Sequence, residues 1–399
     1  MTKLIHVDGY TPDIFGYTDE EWISYKKNFG PNYVLARLNR ERGWDCSVHY
    51  FAREREQKLR TVNDLQYVFH PVSFPGLPAT LKLAGELRMP FYRHQLQISL
   101  SFFRYLSTNY PDLVVFNVSS GVTTYIAAML LRKDGIPYIA HLHGGSYGRS
   151  ALRARFFNKA EAVIVTSETE RTLIRENFSI PHEKIYCIPV GVDTVRFRPT
   201  IPIETRFDPT RLLFVGRIVS YKGIMDVLQC FRLAIEKTID CYVDIVGPVG
   251  NQNHFRELQV FVATHNLGDR IKFHGALSSE ALPDLYNKAT LFVFPSRREG
   301  NPAVVMEAMA CGTPVVSLET TPGANEVIIS GKNGALTTVK NMPEVVTSLL
   351  QNKDEIKRLS AAARDRIEQS FSFESTYNKH CSLYQRILPE AKKGVVRSA

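Results

Sequence analysis

Short runs rich in β-branched and aromatic residues alternate with longer segments of helical periodicity along this chain, and this rhythm limits the folds open to it. Runs of strand character cover residues 3–7, 46–51, 113–117, 138–143, 162–166, 184–188, 211–215, 240–246, 271–274, 291–295 and 314–318. Segments of helical character fall between them, at residues 33–42, 124–133, 223–237, 253–265, 279–288, 302–310 and 342–352. Because parallel strands need a crossover connection, the alternation predicts an α/β fold with parallel sheets and helices on both faces.

The chain is long for a single hydrophobic core. It has 399 residues, of which 44% are hydrophobic and 22% charged, so two globular domains are expected. Residues 195–208 contain Pro199 and Pro202 and show little periodicity, which indicates a linker. We therefore expect doubly wound, Rossmann-like domains at residues 1–198 and 209–371, followed by a helix at residues 372–390. Two such domains facing each other form a cleft, and ligands bind beyond the carboxyl ends of the strands.

The most informative segment, residues 295–316, reads PSRREGNPAVVMEAMACGTPVV. A strand ends at Pro295, a short charged loop follows, and Pro302 suits the first turn of a helix. Free amides at that helix N-terminus favour a phosphate group. Glu299 and Glu307 are eight residues apart, which suits recognition of hydroxyl groups on two separated parts of one ligand. The alternative is a purely structural strand-loop-helix with two solvated acids.

A second segment, residues 214–223, reads FVGRIVSYKG. It places Arg217 just after a strand and Lys222 at the start of the next helix. An arginine fork and a lysine point charge together stabilise a diphosphate leaving group. The alternative is that two basic residues on a loop are simply solvated, since exposed charges are common.

The residue 295–316 segment closely resembles the E-x7-E signature of family-4 retaining glycosyltransferases, which have the two-domain GT-B fold. The residue 214–223 segment matches the G-R-x4-K-G pattern that this family carries upstream. The resemblance implies that Glu299 contacts the donor sugar and Glu307 the ribose hydroxyls. It also implies that Arg217 and Lys222 neutralise the departing nucleoside diphosphate.

The same resemblance implies further donor contacts in the loop and helix of the E-x7-E segment. Backbone amides around Gly300 and Asn301 would hold sugar hydroxyls, with Pro302 beside them. Amides near Val304 and Val305 would meet the diphosphate. The family more often has an aromatic residue where Asn301 stands.

The resemblance also implies donor-binding positions in turns that follow other strands of the second half. Gly216 and Gly247 each follow a strand, and His274 lies in a segment that borders the base pocket of the family. Residues 188–199 resemble the interdomain N-G-V-D-x3-F-x-P stretch, with Val190 replacing the usual Asn. Glycines after strands more often form turns than bind ligands, so no single segment is decisive. The resemblance depends on finding the segments in the same order along the chain as in the family.

The N-terminal half is expected to supply the acceptor side and one donor contact. His143 lies where the family has a histidine at the end of a strand, and its neighbour His141 is the alternative, on the same face of that strand. Gly30 would fill one place of a glycine pair that the family has before its first helix; the second glycine is missing. The resemblance covers residues 113–388, and it implies that the helix at residues 372–390 returns to the N-terminal domain.

Charge and composition limit the partners and the compartment. The net charge of +9 favours phosphate-bearing ligands or anionic membrane surfaces, and with no zinc-finger spacing no nucleic acid partner is expected. The six cysteines are far apart, as in a reduced cytoplasmic protein, and no transmembrane segment is predicted. Residues 79–106 mix basic and apolar side chains. They predict either peripheral contact with an anionic membrane at its inner face or a helix that only covers the sheet.

The reaction implied by the resemblance keeps the anomeric configuration of the donor sugar. No D-x-D pair lies in a plausible site loop, so no metal and no cofactor is expected, and a UDP-sugar is favoured over a GDP-sugar on family frequency. The acceptor would be a glycan, a lipid-linked carbohydrate or a small molecule. The alternatives are a nucleotide-sugar epimerase, a phosphorylase or sugar-phosphate synthase, and a non-catalytic nucleotide-sugar-binding protein. A dehydrogenase is disfavoured because no G-x-G-x-x-G follows an early strand.

Overall fold

The computed structural model of the chain describes residues 1–8, 18, 20, 23, 30–52, 56–73, 98–117, 121–143, 148–299 and 302–394, with side chains up to residue 388. These residues form two compact units. The N-terminal unit consists of Met1–Val190 and Thr376–Ala399, and the C-terminal unit of Gly191–Ser375.

The N-terminal unit is built on an eight-stranded sheet of order β3-β4-β2-β1-β5-β6-β7-β8. Its strands are β1 Lys3–Asp8, β2 Asp45–Ala52, β3 Lys58–Val62, β4 Leu65–Pro71, β5 Leu113–Asn117, β6 Tyr138–His141, β7 Ala162–Val165 and β8 Ile185–Cys187. The pairs are parallel except for β3 and β4, which are antiparallel. Asn63 and Asp64 between them both have positive φ (51° and 62°), as a two-residue hairpin turn requires.

Helices of the N-terminal unit cover both faces of this sheet. They are α1 Gly30–Arg42, α2 Leu100–Asn109, α3 Val122–Lys133, α4 Ala151–Lys159, α5 Glu168–Phe178 and α13 Phe373–Gly394. One core cluster packs α1 and α13 on the sheet through residues such as Leu38 and Tyr384. A second cluster packs the four helices α2, α3, α4 and α5 on the sheet through residues such as Phe102 and Phe157. From Thr376 onward, the C-terminal helix therefore belongs to the N-terminal unit.

The C-terminal unit contains a six-stranded, wholly parallel sheet of order β11-β10-β9-β12-β13-β14. Its strands are β9 Thr210–Val215, β10 Cys241–Val246, β11 Ile271–Gly275, β12 Leu291–Phe294, β13 Val315–Leu318 and β14 Ala335–Thr337. Its helices are α6 Ile224–Glu236, α7 Gln252–Thr264, α8 Leu282–Lys288, α9 Ala303–Ala310, α10 Ala324–Val327, α11 Met342–Gln351 and α12 Lys353–Ser370. A single large apolar cluster fills the space between this sheet and its helices.

Each sheet has one point at which the direction of winding reverses. In the C-terminal unit this point lies between β9 and β12. From β9 the chain adds β10 and β11 on one side of the sheet, and from β12 it adds β13 and β14 on the other. Loops that leave two such strands diverge and open a crevice at the carboxyl edge of the sheet, where ligands of doubly wound folds bind. The corresponding point in the N-terminal unit lies between β1 and β5.

The proline-containing segment at residues 195–208, which we interpreted as a linker, is part of the C-terminal unit. Phe197 and Ile203 are buried in its core, and the Arg206 guanidinium donates to the carbonyls of Ile201 and Cys311 at 2.7 and 3.1 Å. The two units divide between Val190 and Gly191 instead. The prolines fix the path of a packed segment without making it a spacer.

Most of the residue 79–106 segment lies outside the described residues, because the structure describes this region only from residue 98. The described end forms α2, whose Phe102 and Leu106 are buried against the sheet. Of the helices in the described residues, none combines the length and apolar composition needed to cross a bilayer.

Candidate functional site

Two loops at the reversal point of the C-terminal unit carry the basic and acidic residues singled out in the sequence. Gly216 follows β9 directly, and Arg217 and Lys222 lie in the connection that it begins. Glu299 lies in the connection that follows β12, the strand next to β9 in the sheet. Neighbouring strand ends therefore bring together residues 77 positions apart in the chain.

Lys222 and Glu299 contact each other directly. The Lys222 ammonium is 2.5 Å from Glu299 Oε1, and their side chains are only 15% and 12% exposed. The Ser296 hydroxyl donates to the same carboxylate oxygen at 2.5 Å, and the Lys222 ammonium lies 5.5 Å from the centre of the Phe294 ring. Low exposure strengthens the attraction between this cation and an anion beside it, and the aromatic ring stabilises the cation itself.

The two loops are fastened to each other by backbone contacts. Gly223 has φ +76°, and a Cβ there would clash with the carbonyl oxygen of Pro295, so only glycine allows this approach. The Arg297 amide donates to the Tyr221 carbonyl at 2.9 Å, and the Arg297 guanidinium pairs with Asp226 at 2.9 Å. The geometry of the Lys222–Glu299 pair is thus set by the backbone around it.

Arg217 is exposed on the same loop. Its guanidinium donates to the Tyr221 hydroxyl at 2.8 Å, a neutral partner that leaves its charge uncompensated by that contact. Gly247, at the end of β10, packs so closely on this loop that a Cβ would clash with the Gly216 carbonyl. Glycine at 247 is therefore required by the approach of two backbones, which is the turn role that a glycine after a strand most often has.

Glu307 lies in α9, below the acidic loop. The helix begins at Ala303 after a buried Pro302, and Val304 is half-buried whereas Val305 is buried. The Val305 amide donates to the Pro302 carbonyl at 3.0 Å and so already has an acceptor within the first turn. Gly300 and Asn301 lie outside the described residues.

The Glu307 carboxylate accepts a hydrogen bond from the Tyr286 hydroxyl at 2.9 Å. Burial raises the pKa of Glu307, and the Tyr286 hydrogen bond and the charge of Arg196 oppose that rise. The structure therefore places Glu307 on Tyr286, while Lys222 and Glu299 contact each other at the loop ends.

His274 turns back onto the face of the sheet. Its Nε2 lies 2.6 Å from Asp244 Oδ1 on β10, and the Arg211 guanidinium lies 3.3 Å from the other oxygen of Asp244. His274 therefore belongs to a polar cluster with Asp244 and Arg211 on β11, β10 and β9. The role of His274 beside a nucleotide base stays a prediction.

The predicted residues of the N-terminal unit belong to a different set of contacts. His143 follows β6 and contacts the side-chain amide of Asn117, the last residue of the adjacent strand β5. The His141 ring is buried, 4.2 Å from the His143 ring and 5.4 Å from that of His380 on α13. His143, which is more exposed, is thus the one of the pair with access to solvent.

Gly30, the first residue of α1, is buried against the chain at Val190. A Cβ at Gly30 would clash with the Val190 carbonyl oxygen. This close approach explains the glycine without a ligand, and its predicted place in donor binding stays a prediction.

Several contacting residues were not singled out from the sequence. Ser296 lies inside the residue 295–316 segment, and a hydroxyl three residues before Glu299 is the one local signal that could have identified it. Tyr286, Asp244 and Asn117 come from other strands or helices, and only the fold shows that they meet Glu307, His274 and His143.

Two α/β units, each built on a parallel or mostly parallel sheet, make up the GT-B fold. The fold predicted from the motifs is therefore confirmed. The chain belongs to the family-4, group 1 glycosyltransferases. The family model described as Glycosyltransferase Family 4 matches residues 33–196, and the one described as Glycosyl transferases group 1 matches residues 198–366. The resemblance inferred from the sequence motifs is thereby confirmed.

Individual relatives are distant and are matched over part of their length. The capsular polysaccharide biosynthesis glycosyltransferase CapM of Staphylococcus aureus is 28% identical over 45% of this chain and 47% of its own. The MMP α-(1→4)-mannosyltransferase of Mycolicibacterium hassiacum is 26% identical over 61% of this chain and 58% of its own. The chain thus spans about half the length of these relatives. The crystal structure of Anabaena HepE in complex with UDP has the same fold, with a TM-score of 0.70 and 18% identity over 96% of this chain and all of that one.

Proposed function

We propose that this protein is a retaining, metal-independent glycosyltransferase that moves a sugar from a nucleoside-diphosphate sugar to a carbohydrate, lipid-linked or small-molecule acceptor. One observation carries the proposal: a poorly exposed lysine and a poorly exposed glutamate, Lys222 and Glu299, meet at the reversal point of a parallel sheet. A cation suits a diphosphate and a carboxylate suits sugar hydroxyls. A ligand that contains both groups side by side is a nucleotide sugar.

Names of the relatives support this class of substrate. CapM is named as a glycosyltransferase and the Mycolicibacterium enzyme as a mannosyltransferase, and the HepE structure contains UDP. We favour a UDP-sugar donor over a GDP-sugar on this basis. The acceptor is proposed only as a hydroxyl-bearing compound of the classes given above.

In the proposed reaction the bond between the anomeric carbon and the diphosphate oxygen breaks, and its electron pair leaves with the diphosphate. Lys222 and Arg217 stabilise the negative charge that develops there, which lowers the barrier because it acts mainly in the transition state. The acceptor hydroxyl attacks the same face and its proton passes to the departing phosphate oxygen. The new glycosidic bond therefore keeps the anomeric configuration of the donor.

The other predicted residues orient the donor. Glu299 accepts hydrogen bonds from sugar hydroxyls once the diphosphate has taken its place on Lys222. Glu307 accepts from the ribose hydroxyls, and the role of His143 beside the donor sugar stays a prediction. Amides at the start of α9 other than that of Val305, which donates to the Pro302 carbonyl, add to the diphosphate contacts, as expected of a helix N-terminus.

A panel of free nucleoside diphosphates and nucleotide sugars tests the proposal. Selective binding raises the melting temperature of the protein, and we expect UDP and one UDP-sugar to give the largest shifts. No shift with any UDP- or GDP-linked ligand at millimolar concentration would rule out the assignment.

Product analysis separates the proposed transfer from its alternatives. A glycosyltransferase releases UDP in proportion to the glycoside formed, and slowly releases free sugar by hydrolysis when no acceptor is present. An epimerase changes the donor without any acceptor, and a phosphorylase uses inorganic phosphate. Binding with no turnover under any of these conditions would indicate a non-catalytic nucleotide-sugar-binding protein.

A further inference from the structure

We propose that Tyr286 is a positioning residue that orients Glu307 for the ribose of the donor, an inference that rests on the proposed function. Tyr286 was not part of the motif, lies on α8, and contacts the carboxylate across two helices. Its effect on a ligand would pass entirely through Glu307.

The position of the Tyr286 hydroxyl is fixed by the packing of its ring. Tyr286 is completely buried, and its ring makes edge contacts with Phe197 and Phe292 at centroid distances of 6.0 and 5.7 Å. Aromatic pairs in this arrangement are attractive beyond their burial and restrict ring rotation. The ring is therefore confined, and its hydroxyl lies 2.9 Å from Glu307 Oε2.

The backbone of Tyr286 is anchored as well. The Thr313 hydroxyl donates to the Tyr286 carbonyl at 2.6 Å, and the buried Arg206 guanidinium donates to Thr313 at 2.9 Å. Thr313 lies just before β13, and Arg206 lies in the segment that leads into β9. These hydrogen bonds hold the backbone of Tyr286 in a fixed position relative to the sheet. The Tyr286 hydroxyl, and with it the direction of the Glu307 carboxylate, is therefore set by the fold.

Charge supports the same assignment. Burial raises the pKa of Glu307, whereas the hydrogen bond from Tyr286 lowers it and so favours the ionised form that accepts hydrogen bonds. Burial raises the pKa of the Tyr286 phenol well above its ordinary value, so the phenol keeps its proton and remains a donor. The hydrogen bond occupies Glu307 Oε2 and thereby fixes the direction of Oε1.

The test compares two ligands in the wild type and in Tyr286→Phe. UDP carries both ribose hydroxyls, whereas 2′,3′-dideoxyuridine diphosphate carries neither. We expect Tyr286→Phe to weaken UDP binding about tenfold and to leave binding of the dideoxy analogue unchanged, because only UDP uses the oriented carboxylate. A residue with only a structural role would affect both ligands equally.

Tyr138→Phe is the matched control. Tyr138 is a buried tyrosine of the N-terminal unit whose hydroxyl donates to the Phe156 carbonyl at 2.6 Å. Both variants lose one buried hydrogen bond and should melt at lower temperature, but Tyr138→Phe should bind UDP like the wild type.

Glu307→Gln provides a second route if Tyr286→Phe is poorly stable. We expect Glu307→Gln to show the same selective loss for UDP, and the double variant to bind UDP no more weakly than Glu307→Gln alone, because both changes act on one interaction. Equal losses for UDP and the dideoxy analogue, or additive losses in the double variant, would overturn the positioning role. Wild-type protein that binds neither UDP nor GDP would refute the proposed function and the role of Tyr286 together.

Discussion

Four histidines of the N-terminal unit are buried in settings that exclude a positive charge, which makes this unit sensitive to mild acid. His49 Nδ1 and His70 Nε2 share a hydrogen bond of 2.8 Å, which needs one ring nitrogen without a proton. The His141 and His380 rings lie 5.4 Å apart. Burial lowers the pKa of His49 and His141 well below 6.5, and lowers the pKa of His70 and His380 to about 3.

The sign and size of the effect follow from proton linkage. Well above pH 6.5 both the folded and the unfolded chain keep these rings neutral, so stability does not depend on them. As the pH falls from 6.5 towards about 3, the unfolded chain takes up protons that the folded chain refuses, and stability is lost. At about pH 5 a histidine whose pKa falls from 6.5 to about 3 costs about 2 kcal/mol, so His70 and His380 together cost about 4 kcal/mol, and the lowered pKa values of His49 and His141 add to this loss. This loss is comparable with a typical domain stability of about 5 to 15 kcal/mol.

Amide hydrogen exchange followed by mass spectrometry measures the two units separately. At about pH 5 we expect peptides from β5, β6 and β7 to lose protection, after correction for intrinsic exchange, while peptides from β9 and β12 keep it. His70→Gln, which keeps hydrogen-bonding capacity without titrating, should recover about 2 kcal/mol of the acid-induced loss. His182→Gln, a change at an exposed histidine, is the matched control and should recover nothing. Equal loss in both units, or an unchanged pH dependence in His70→Gln, would show that the buried histidines do not cause the acid sensitivity.

Two further predictions concern the paired loops. Arg217→Ala should lower kcat at least a hundredfold with the melting temperature nearly unchanged. Lys222→Ala should lower kcat as much and also lower the melting temperature, because it leaves the poorly exposed Glu299 without its cation. Lys237→Ala, at a surface ion pair with Glu344, should change neither. Wild-type turnover in both loop variants would remove the diphosphate assignment. Glu299→Gln should tighten binding of free UDP by about threefold to tenfold in calorimetry while lowering transfer, because Lys222 loses its competing anion. Weaker UDP binding in that variant would mean that Glu299 holds Lys222 in place instead.

The sequence predicted most of the fold because parallel strands buried on both faces appear as short apolar runs. The runs at residues 113–117 and 271–274 correspond to β5 and β11 within one residue. Strands β3, β4 and β14 were missed. β3 is an exposed edge strand that lacks such a run, and β14 has only three residues. The long helix α12 was missed because most of its side chains are polar or charged, although Ile356, Leu359 and Ile367 are buried.

The candidate site was predicted as far as its residues share a local motif. Lys222 and Glu299 were identified from separate segments, and their contact follows from the adjacency of β9 and β12, which periodicity cannot specify. Tyr286 could not be found in this way, since a tyrosine in an ordinary helical pattern carries no sign of the glutamate it contacts. His274 was named from the sequence, but its partner was not. Asp244 lies on another strand, and its contact holds the His274 ring against the sheet.

A crystal structure of the protein with UDP bound would show whether the loops after β9 and β12 hold a nucleoside diphosphate. We expect the diphosphate to lie within about 3 Å of the Lys222 ammonium and the Arg217 guanidinium, with Glu299 released from Lys222 and the ribose hydroxyls on Glu307. A complex in which the diphosphate lies away from the loops after β9 and β12, with the Lys222–Glu299 pair intact, would contradict it.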